Sequence, residues 1–366
     1  MGPSPAVTVL MPVHNGEPFL KLALGSILGQ TYCDFELLIV DDGSTDATPN
    51  ILAEHQRRDG RIVMHRQDNQ GLKAALNRGL SLARGAFIAR MDSDDIALPT
   101  RLAKQVGFLS NHPDVSILGT AYWLIDQNAR YVDLKRFPTS DLHIRWANLL
   151  APAFAHPTVM IRRDLLLRND LWYDPACEVE DYDLWRRVLR HGRGANLAEA
   201  LLEYRDHSGS MSNLCRATRL KRSDLLALEA VREELPDFPT SLESVSRMRR
   251  LFVGGATKDE RRIENRVAAG NTYLDMLDAW IGTHRSEPGA MAVWRKETAR
   301  VAVVNLFHPS QKGWGRLCGR LLRRSPHVPL DLAFHYSGAL KKRLNLGLTM
   351  PIKRRLTSSR YLPPAK

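Results

Sequence analysis

Positions 1–90 contain four short runs of almost unbroken apolar residues: AVTVLMPV (6–13), FELLIV (35–40), RIVMH (61–65) and AFIAR (86–90). The segments between them are amphipathic. Over 17–30 the apolar residues Phe19, Leu20, Ala23, Leu24, Ile27 and Leu28 recur at helical spacing, and helices are expected at about 46–58 and 71–84 as well. Strands that are apolar along their whole length must be buried on both faces. Alternating with amphipathic helices, they predict an α/β fold around a parallel sheet. In such sheets ligands bind beyond the carboxyl ends of the strands. This chain carries polar clusters at those ends: His14-Asn15-Gly16-Glu17, Asp41-Asp42-Gly43-Ser44 and Asp92-Ser93-Asp94-Asp95.

The pattern then becomes mixed. Residues 115–126 and 130–137 read as a hairpin, and 156–164 as a strand running into a helix. Residues 178–192 read as a helix with Leu184, Val188 and Leu189 inward, followed by a strand ending near His207. Beyond about 215 the strand signals stop, and helices are expected near 220–235, 242–253, 261–281 and 290–306. The expected organisation is a domain over 1–214, a helical region over 215–312 and a basic tail over 313–366. With 366 residues, 44% apolar and 25% charged, the chain has the composition of a soluble globular protein. It has no apolar run of about 18 residues, so no spanning helix is expected. The start does not resemble a signal peptide. Cys33, Cys177, Cys215 and Cys318 have no metal-binding spacing and suit free thiols in a reducing cytosol.

The net charge of +12 is concentrated in the tail. Residues 313–366 hold 12 Lys or Arg and one acid, Asp331, whereas 1–312 holds 40 basic and 39 acidic residues. One reading is a solvated helical face. The other is attraction to an anionic membrane surface, which would make a cytoplasmic protein peripheral on the inner face. Nucleic acid is not expected as a partner, because no recognition module accompanies the basic run.

Three carboxylates within Asp92–Asp95, directly after a buried strand, need a cation or full hydration. Two acids one residue apart can face a shared Mg2+ or Mn2+, with the rest of the ion's shell drawn from water and substrate phosphates. The alternative is that Ser93, Asp94 or Asp95 caps a helix beginning near Pro99. On the helix at 178–192, Asp181, Leu184, Trp185 and Val188 share one face. Asp183 lies about 160° from Asp181 around that helix.

Five stretches occur in order: VTVLMPVHNGEPFLKLALGSILGQTY, FELLIVDDGSTDAT, DNQGLKAALNRGLSLARGAFIARMDSDD, HPTVMIRRD and VEDYDLWRRVLRHG. Together they resemble the family 2 nucleotide-sugar glycosyltransferases over about residues 6–212. The resemblance implies a GT-A fold, with a Rossmann-like nucleotide-binding half and an acceptor half with a mixed sheet. The helical region from 215 onward lies outside it. It implies that Pro12, Val13 and Asp41 hold the nucleobase, Asp41 accepting the ring N–H of uracil and so favouring UDP; an Asx-turn is the competing role for Asp41. Glu17 would touch the ribose, or else serve as a first-turn acid. Lys73 would reach a phosphate or sugar hydroxyl, or else be solvated. Asp94 would ligate the metal directly. Asp92, with Ser93 beside it on the donor side, would contact the ribose or reach the metal through water, and Asp95 would contact the sugar or act behind the other two. His207 would be a third protein ligand. Asp181 would be the general base with Glu180 beside it. His156, Trp185 and Arg162 or Arg163 would lie on the acceptor side.

The expected reaction is a metal-dependent, inverting transfer of one sugar from a nucleotide-sugar to a glycan or glycolipid hydroxyl, in cell-surface polysaccharide or glycolipid assembly. Processive members of the family carry a Gln-x-x-Arg-Trp-type motif and spanning helices; here RRVLRHG follows the acidic motif. A sugar-1-phosphate nucleotidyltransferase would open with a Gly-rich loop followed by Arg, whereas PVHNGEPF has one Gly and no Arg. A non-catalytic sugar-nucleotide or glycan-binding module would lack Asp94 or Asp181, and both are present.

Overall fold

The computed structural model describes residues 4–210, 216–253 and 263–305; the basic tail at 313–366, and with it the membrane expectation, lies outside them. Nine strands form one sheet: β1 (Val7–Val13), β2 (Phe35–Asp42), β3 (Ile62–Gln67), β4 (Phe87–Arg90), β5 (Ile96–Ala97), β6 (Val115–Asp126), β7 (Tyr131–Lys135), β8 (Met160–Arg162) and β9 (Arg193–Asp206). Their order is β3-β2-β1-β4-β8-β6-β9-β5, with β7 paired to β6. The first four strands are parallel. The sheet then turns mixed, because β8 runs antiparallel to both β4 and β6.

Every residue of β1 and β2 is buried, as their mostly apolar sequences require, and the buried Glu36 of β2 is held by Thr8 and Arg84. Helices α1 (Glu17–Leu28) and α2 (Thr48–Arg58) pack on one face and α3 (Leu72–Leu82) on the other. Helix α1 turns Leu20, Ala23, Leu24 and Ile27 inward. Truncating a fully buried leucine such as Leu24 to alanine costs about 2–5 kcal/mol. Strand β2 runs two residues further than its apolar run, because Asp41 and Asp42 pair with Arg66 and Gln67 of β3. The acidic pair is therefore fixed by the ladder. The turn that follows needs Gly43 at φ 74°, where a Cβ would sit 2.7 Å from Asn69 N.

Helix α4 (Arg101–Asn111) follows Thr100, so none of Ser93, Asp94 and Asp95 caps it. Helix α5 (Asp141–Asn148) was not expected from the sequence. Helices α6 (Arg163–Arg168) and α7 (Glu180–His191) follow β8 on the mixed side of the sheet. The helical region comprises α8 (Arg216–Glu234), α9 (Leu242–Phe252), α10 (Ile263–Thr283) and α11 (Ala290–Asn305). It docks on α5: Leu142, Trp146 and Leu149 share one apolar cluster with Val231, Met248 and Trp280. A buried polar network runs through this joint. His143 Nε2 lies 2.6 Å from Glu297 Oε1, Tyr273 Oη donates to Glu297 Oε2 at 2.6 Å, and Trp146 Nε1 donates to Tyr273 Oη at 2.9 Å. Among the described residues, no helix is long and apolar enough to cross a membrane.

Candidate active site

A cavity of about 1090 Å³ opens at the carboxyl ends of β1, β2 and β4 and continues to the start of α7. Its shape begins with the strand ends. Asn15 adopts φ 52°, a conformation asparagine tolerates, and its Oδ1 accepts from Thr45 N at 2.8 Å. Asp42 lines the cavity and organises the loop before α3, accepting from Gln70 N at 2.9 Å and Gly71 N at 2.8 Å. Pro12 and Val13 line the same end.

The turn after β4 gathers Asp92, Asp94 and Asp95, whose nearest ligand atoms all lie within 4.8 Å of one another. The positive charge this crowding demands comes from the strand itself. Arg90 is buried and pairs with Asp92. Burial opposes its charge, but Asp92 first, and then Tyr173 and Asp95, carry it above the usual arginine value. Burial, and then the Asp92 charge, push the Asp94 carboxyl up, against the pull of His207 and Arg90. Asp95 is pushed well up by burial and by both neighbouring acids. It lies beneath the site, accepting from Arg205 N at 2.8 Å, and does not line the cavity. Ser93 does. His207, just past the end of β9, closes the cluster: its Nε2 lies 2.9 Å from Asp94 Oδ2, and its ring packs 5.0 Å from Phe19. These groups are hard oxygens with one imidazole, a set suited to Mg2+ or Mn2+.

The N-terminus of α7 carries the second set of acids. Its free N–H groups and dipole favour negative charge, and Glu180, Asp181 and Asp183 occupy its first turn. Glu180 and Asp181 line the cavity. Asp183 instead pairs with Arg187 one turn on, at 2.5 Å. His156, buried on the cavity wall, has Nε2 2.9 Å from Tyr173 Oη and Nδ1 4.0 Å from Glu180 Oε1. Burial, and then the charges of Arg90 and Arg219, hold it well below the ordinary histidine value, so it is neutral near pH 7. Arg219, from α8, reaches the same pair of acids. Sequence reasoning did not single it out.

Several expected residues do not line the cavity. The Glu17 carboxylate accepts from Ala47 N at 3.2 Å and so caps the start of α2. Asp41 is buried, its Oδ1 accepting from Ser44 N, three residues on, at 3.0 Å and its Oδ2 lying 3.6 Å from Arg66. Lys73 donates to the carbonyls of Pro175 and, at 3.2 Å, Cys177, and so ties down the loop before α7. Trp185 is fully buried, its ring edge-on to His156 at 5.7 Å; it supports that wall of the cavity from behind. Arg162 donates to Val115 O and Leu109 O, bracing β8, and Arg163 lies against Leu166 and Trp172 in a separate small cavity.

The sequence model described as "Glycosyl transferase family 2" matches residues 8–168. The chain is 35% identical over 211 residues to the O-antigen biosynthesis glycosyltransferase WbnJ of Escherichia coli, an alignment covering 56% of this chain and 81% of that protein. It is 32% identical over 202 residues to the amylovoran biosynthesis glycosyltransferase AmsE of Erwinia amylovora, covering 54% and 75%. Among solved structures, S. aureus TarS 1-349 in complex with UDP-GlcNAc matches with a TM-score of 0.54 at 21% identity, over 82% of this chain and 87% of that one. That likeness is one of fold, and the fold is GT-A-like with a helical C-terminal region.

Proposed function

The chain belongs to glycosyl transferase family 2 and is a glycosyltransferase, and we propose that it moves one sugar per binding event from a nucleotide-sugar to a hydroxyl of a glycan or glycolipid, with inversion and with a divalent cation. One observation carries this reading: a single cavity joins Asp92, Asp94 and His207 to the acids at the start of α7. UDP is the donor nucleotide proposed first, because a carboxylate can accept the uracil ring N–H and Asp42, which ends β2, lines the cavity. The names of WbnJ and AmsE, both for polysaccharide biosynthesis, support a place in cell-surface polysaccharide assembly. TarS, with the same fold, binds UDP-GlcNAc, which supports a nucleotide-sugar as donor.

The residues fit a cation. Three carboxylates converge, and those of Asp94 and Asp95 are pushed up by burial and by their neighbours, a cost that a bound dication relieves. Asp92, Asp94 and His207 would hold Mn2+ or Mg2+. When bound, the ion supplies positive charge beside the departing nucleoside diphosphate. The remaining work falls to the chain. Pro12, Val13 and Asp42 border the nucleotide end. Neutral His156 can exchange a hydrogen bond with an acceptor hydroxyl. Asp181 takes the proton of that hydroxyl as it attacks the anomeric carbon. No carboxylic acid is needed on the leaving-group side, unlike in glycoside hydrolysis. The test is the anomeric configuration of the transferred sugar by NMR: inversion supports a single displacement, and retention overturns it.

The basic segment 313–366 is proposed to meet an anionic membrane surface, placing a cytoplasmic enzyme against the inner face where glycolipid acceptors reside.

A further inference from the structure

Arg219 enters the cavity from outside the stretch that matches the family. It sits on α8, with its side chain 24% exposed. Its Nη1 donates to Glu178 O at 2.9 Å and to Glu180 Oε2 at 3.0 Å, and its Nη2 lies 3.4 Å from Asp181 Oδ1. One planar guanidinium thus spans a carbonyl and two carboxylates at the start of α7, a geometry that a lysine ammonium cannot copy.

The pair it spans is in electrostatic conflict. Two adjacent carboxylates facing one cavity resist joint ionisation. Burial, and then the Asp181 charge, push the Glu180 carboxyl up, and Arg219 pulls it back. Burial in turn opposes the Arg219 charge, while Asp181 and Glu180 raise it. The other groups facing the pair offer little positive charge. His156 is neutral, and burial keeps the Tyr173 phenol protonated. Arg90 is committed to Asp92, Arg222 faces the Glu178 carboxylate at 4.0 Å, and Tyr204 acts on Arg219 itself. Among the described residues, no other Lys or Arg forms an ion pair with Glu180 or Asp181. The contacts also orient Asp181. Tyr182 N donates to Oδ1 at 2.9 Å and Arg219 meets the same oxygen, while among the described residues no hydrogen bond or ion pair engages Oδ2 of this cavity-lining residue.

We propose that Arg219 is a positioning residue for glycosyl transfer, a brace from the helical region that engages Glu180 and turns Asp181 Oδ2 toward the acceptor hydroxyl. This rests on the reading of Asp181 as the proton acceptor. It also makes the helical region part of the working site, since α8 delivers the guanidinium.

The first readout needs no substrate, so it stands apart from the proposed reaction. In the full chain labelled with 13C at the glutamate carboxyl, the Glu180 signal is assigned through Glu180→Gln and titrated. In Arg219→Gln, which keeps donors but loses the charge, the Glu180 midpoint rises by about 1–3 pH units. With an identified donor, kcat falls by about 10²-fold while the donor KM holds. A Glu180 midpoint unchanged from wild type overturns the proposal. So does a donor KM that rises with kcat intact, since Arg219 would then serve the donor. If Arg219→Gln does not fold, Arg219→Lys carries the test. It keeps the charge and loses the fork, so the midpoint stays within about one unit and kcat still falls; full kcat in that variant overturns the proposal. Failure of the wild-type enzyme to turn over any nucleotide-sugar counts against the proposed reaction and leaves the titration to judge the brace.

Discussion

His207 Nε2 lies 2.9 Å from Asp94 Oδ2 across 113 positions of sequence. The contact fastens the loop after β9 to the turn after β4. It places an imidazole against a carboxyl that burial and Asp92 both push up. An isolated imidazole–carboxyl pair would need no third acid nearby; here Asp92 and Asp95 share the same few ångströms. The strain on these carboxyls, with Asp94 and Asp95 both pushed up by burial and by their neighbours, is the physical reason to expect a dication to join them.

Asp94→Ala is therefore expected to lose the rise in Tm that Mn2+ and a nucleotide-sugar together give the wild type, and to lose turnover with it. Differential scanning fluorimetry and a diphosphate-release assay check both. Undiminished activity in this variant removes Asp94 from the metal.

Asp181→Asn is close to isosteric and keeps the helix start intact. Donor binding should persist while transfer falls by about 10²–10⁴-fold, the usual share of a general base. Steady-state kinetics with donor titration separate the two. Near-normal transfer moves the proton acceptor elsewhere.

The joint between α5 and α11 has its own pH signature. Burial pushes the Glu297 carboxyl up, but the hydrogen bond from His143 and the charge of Arg300 outweigh it and hold the group at about 2, below its ordinary 4.5. A depressed carboxyl stabilises the fold above its unfolded value and loses that stabilisation as pH falls toward its folded value. Glu297→Gln should cost about 3 kcal/mol near pH 7, and the difference from wild type should shrink between pH 4.5 and 2. Urea unfolding across that range checks it. A difference independent of pH excludes the charged carboxylate as its source.

Removing residues 313–366 should reduce sedimentation with anionic liposomes and leave diphosphate release in solution unchanged. Equal sedimentation of the two forms sinks the membrane-surface role for the tail.

The parts of the fold legible in the sequence were those with long, single-valued patterns. Strand β1 and the first six residues of β2 are apolar along nearly their whole length, and only a doubly covered parallel sheet buries them. Helix α5 was missed because it has eight residues, with Leu142, Ile144 and Trp146 apolar on more than one side, too short for a clear period. At the site, Asp92, Asp94, Glu180, Asp181 and His207 were legible as acids or imidazole in recurring motifs at element ends. Glu17, Asp41 and Lys73 show the limit. A polar residue at a strand end can satisfy a nearby backbone group or face a ligand, and the two choices differ by about 1 kcal/mol, which the local sequence does not encode. Trp185 shares a face with Asp181 but lies one turn deeper, where that face is closed by core. Nothing in the run RATRLKR distinguishes Arg219 from Arg216, Lys221 or Arg222. Only the docking of α8 against α7 selects it.

Incubating the full chain with a panel of UDP-, GDP- and dTDP-sugars and following diphosphate release, with Mn2+ and then with EDTA, brings these strands together. One nucleotide-sugar should be turned over with Mn2+, and that turnover should vanish with EDTA and in Asp94→Ala. Turnover that survives both, or no turnover of any nucleotide-sugar at any metal concentration, contradicts a metal-dependent transferase built on Asp94 and His207.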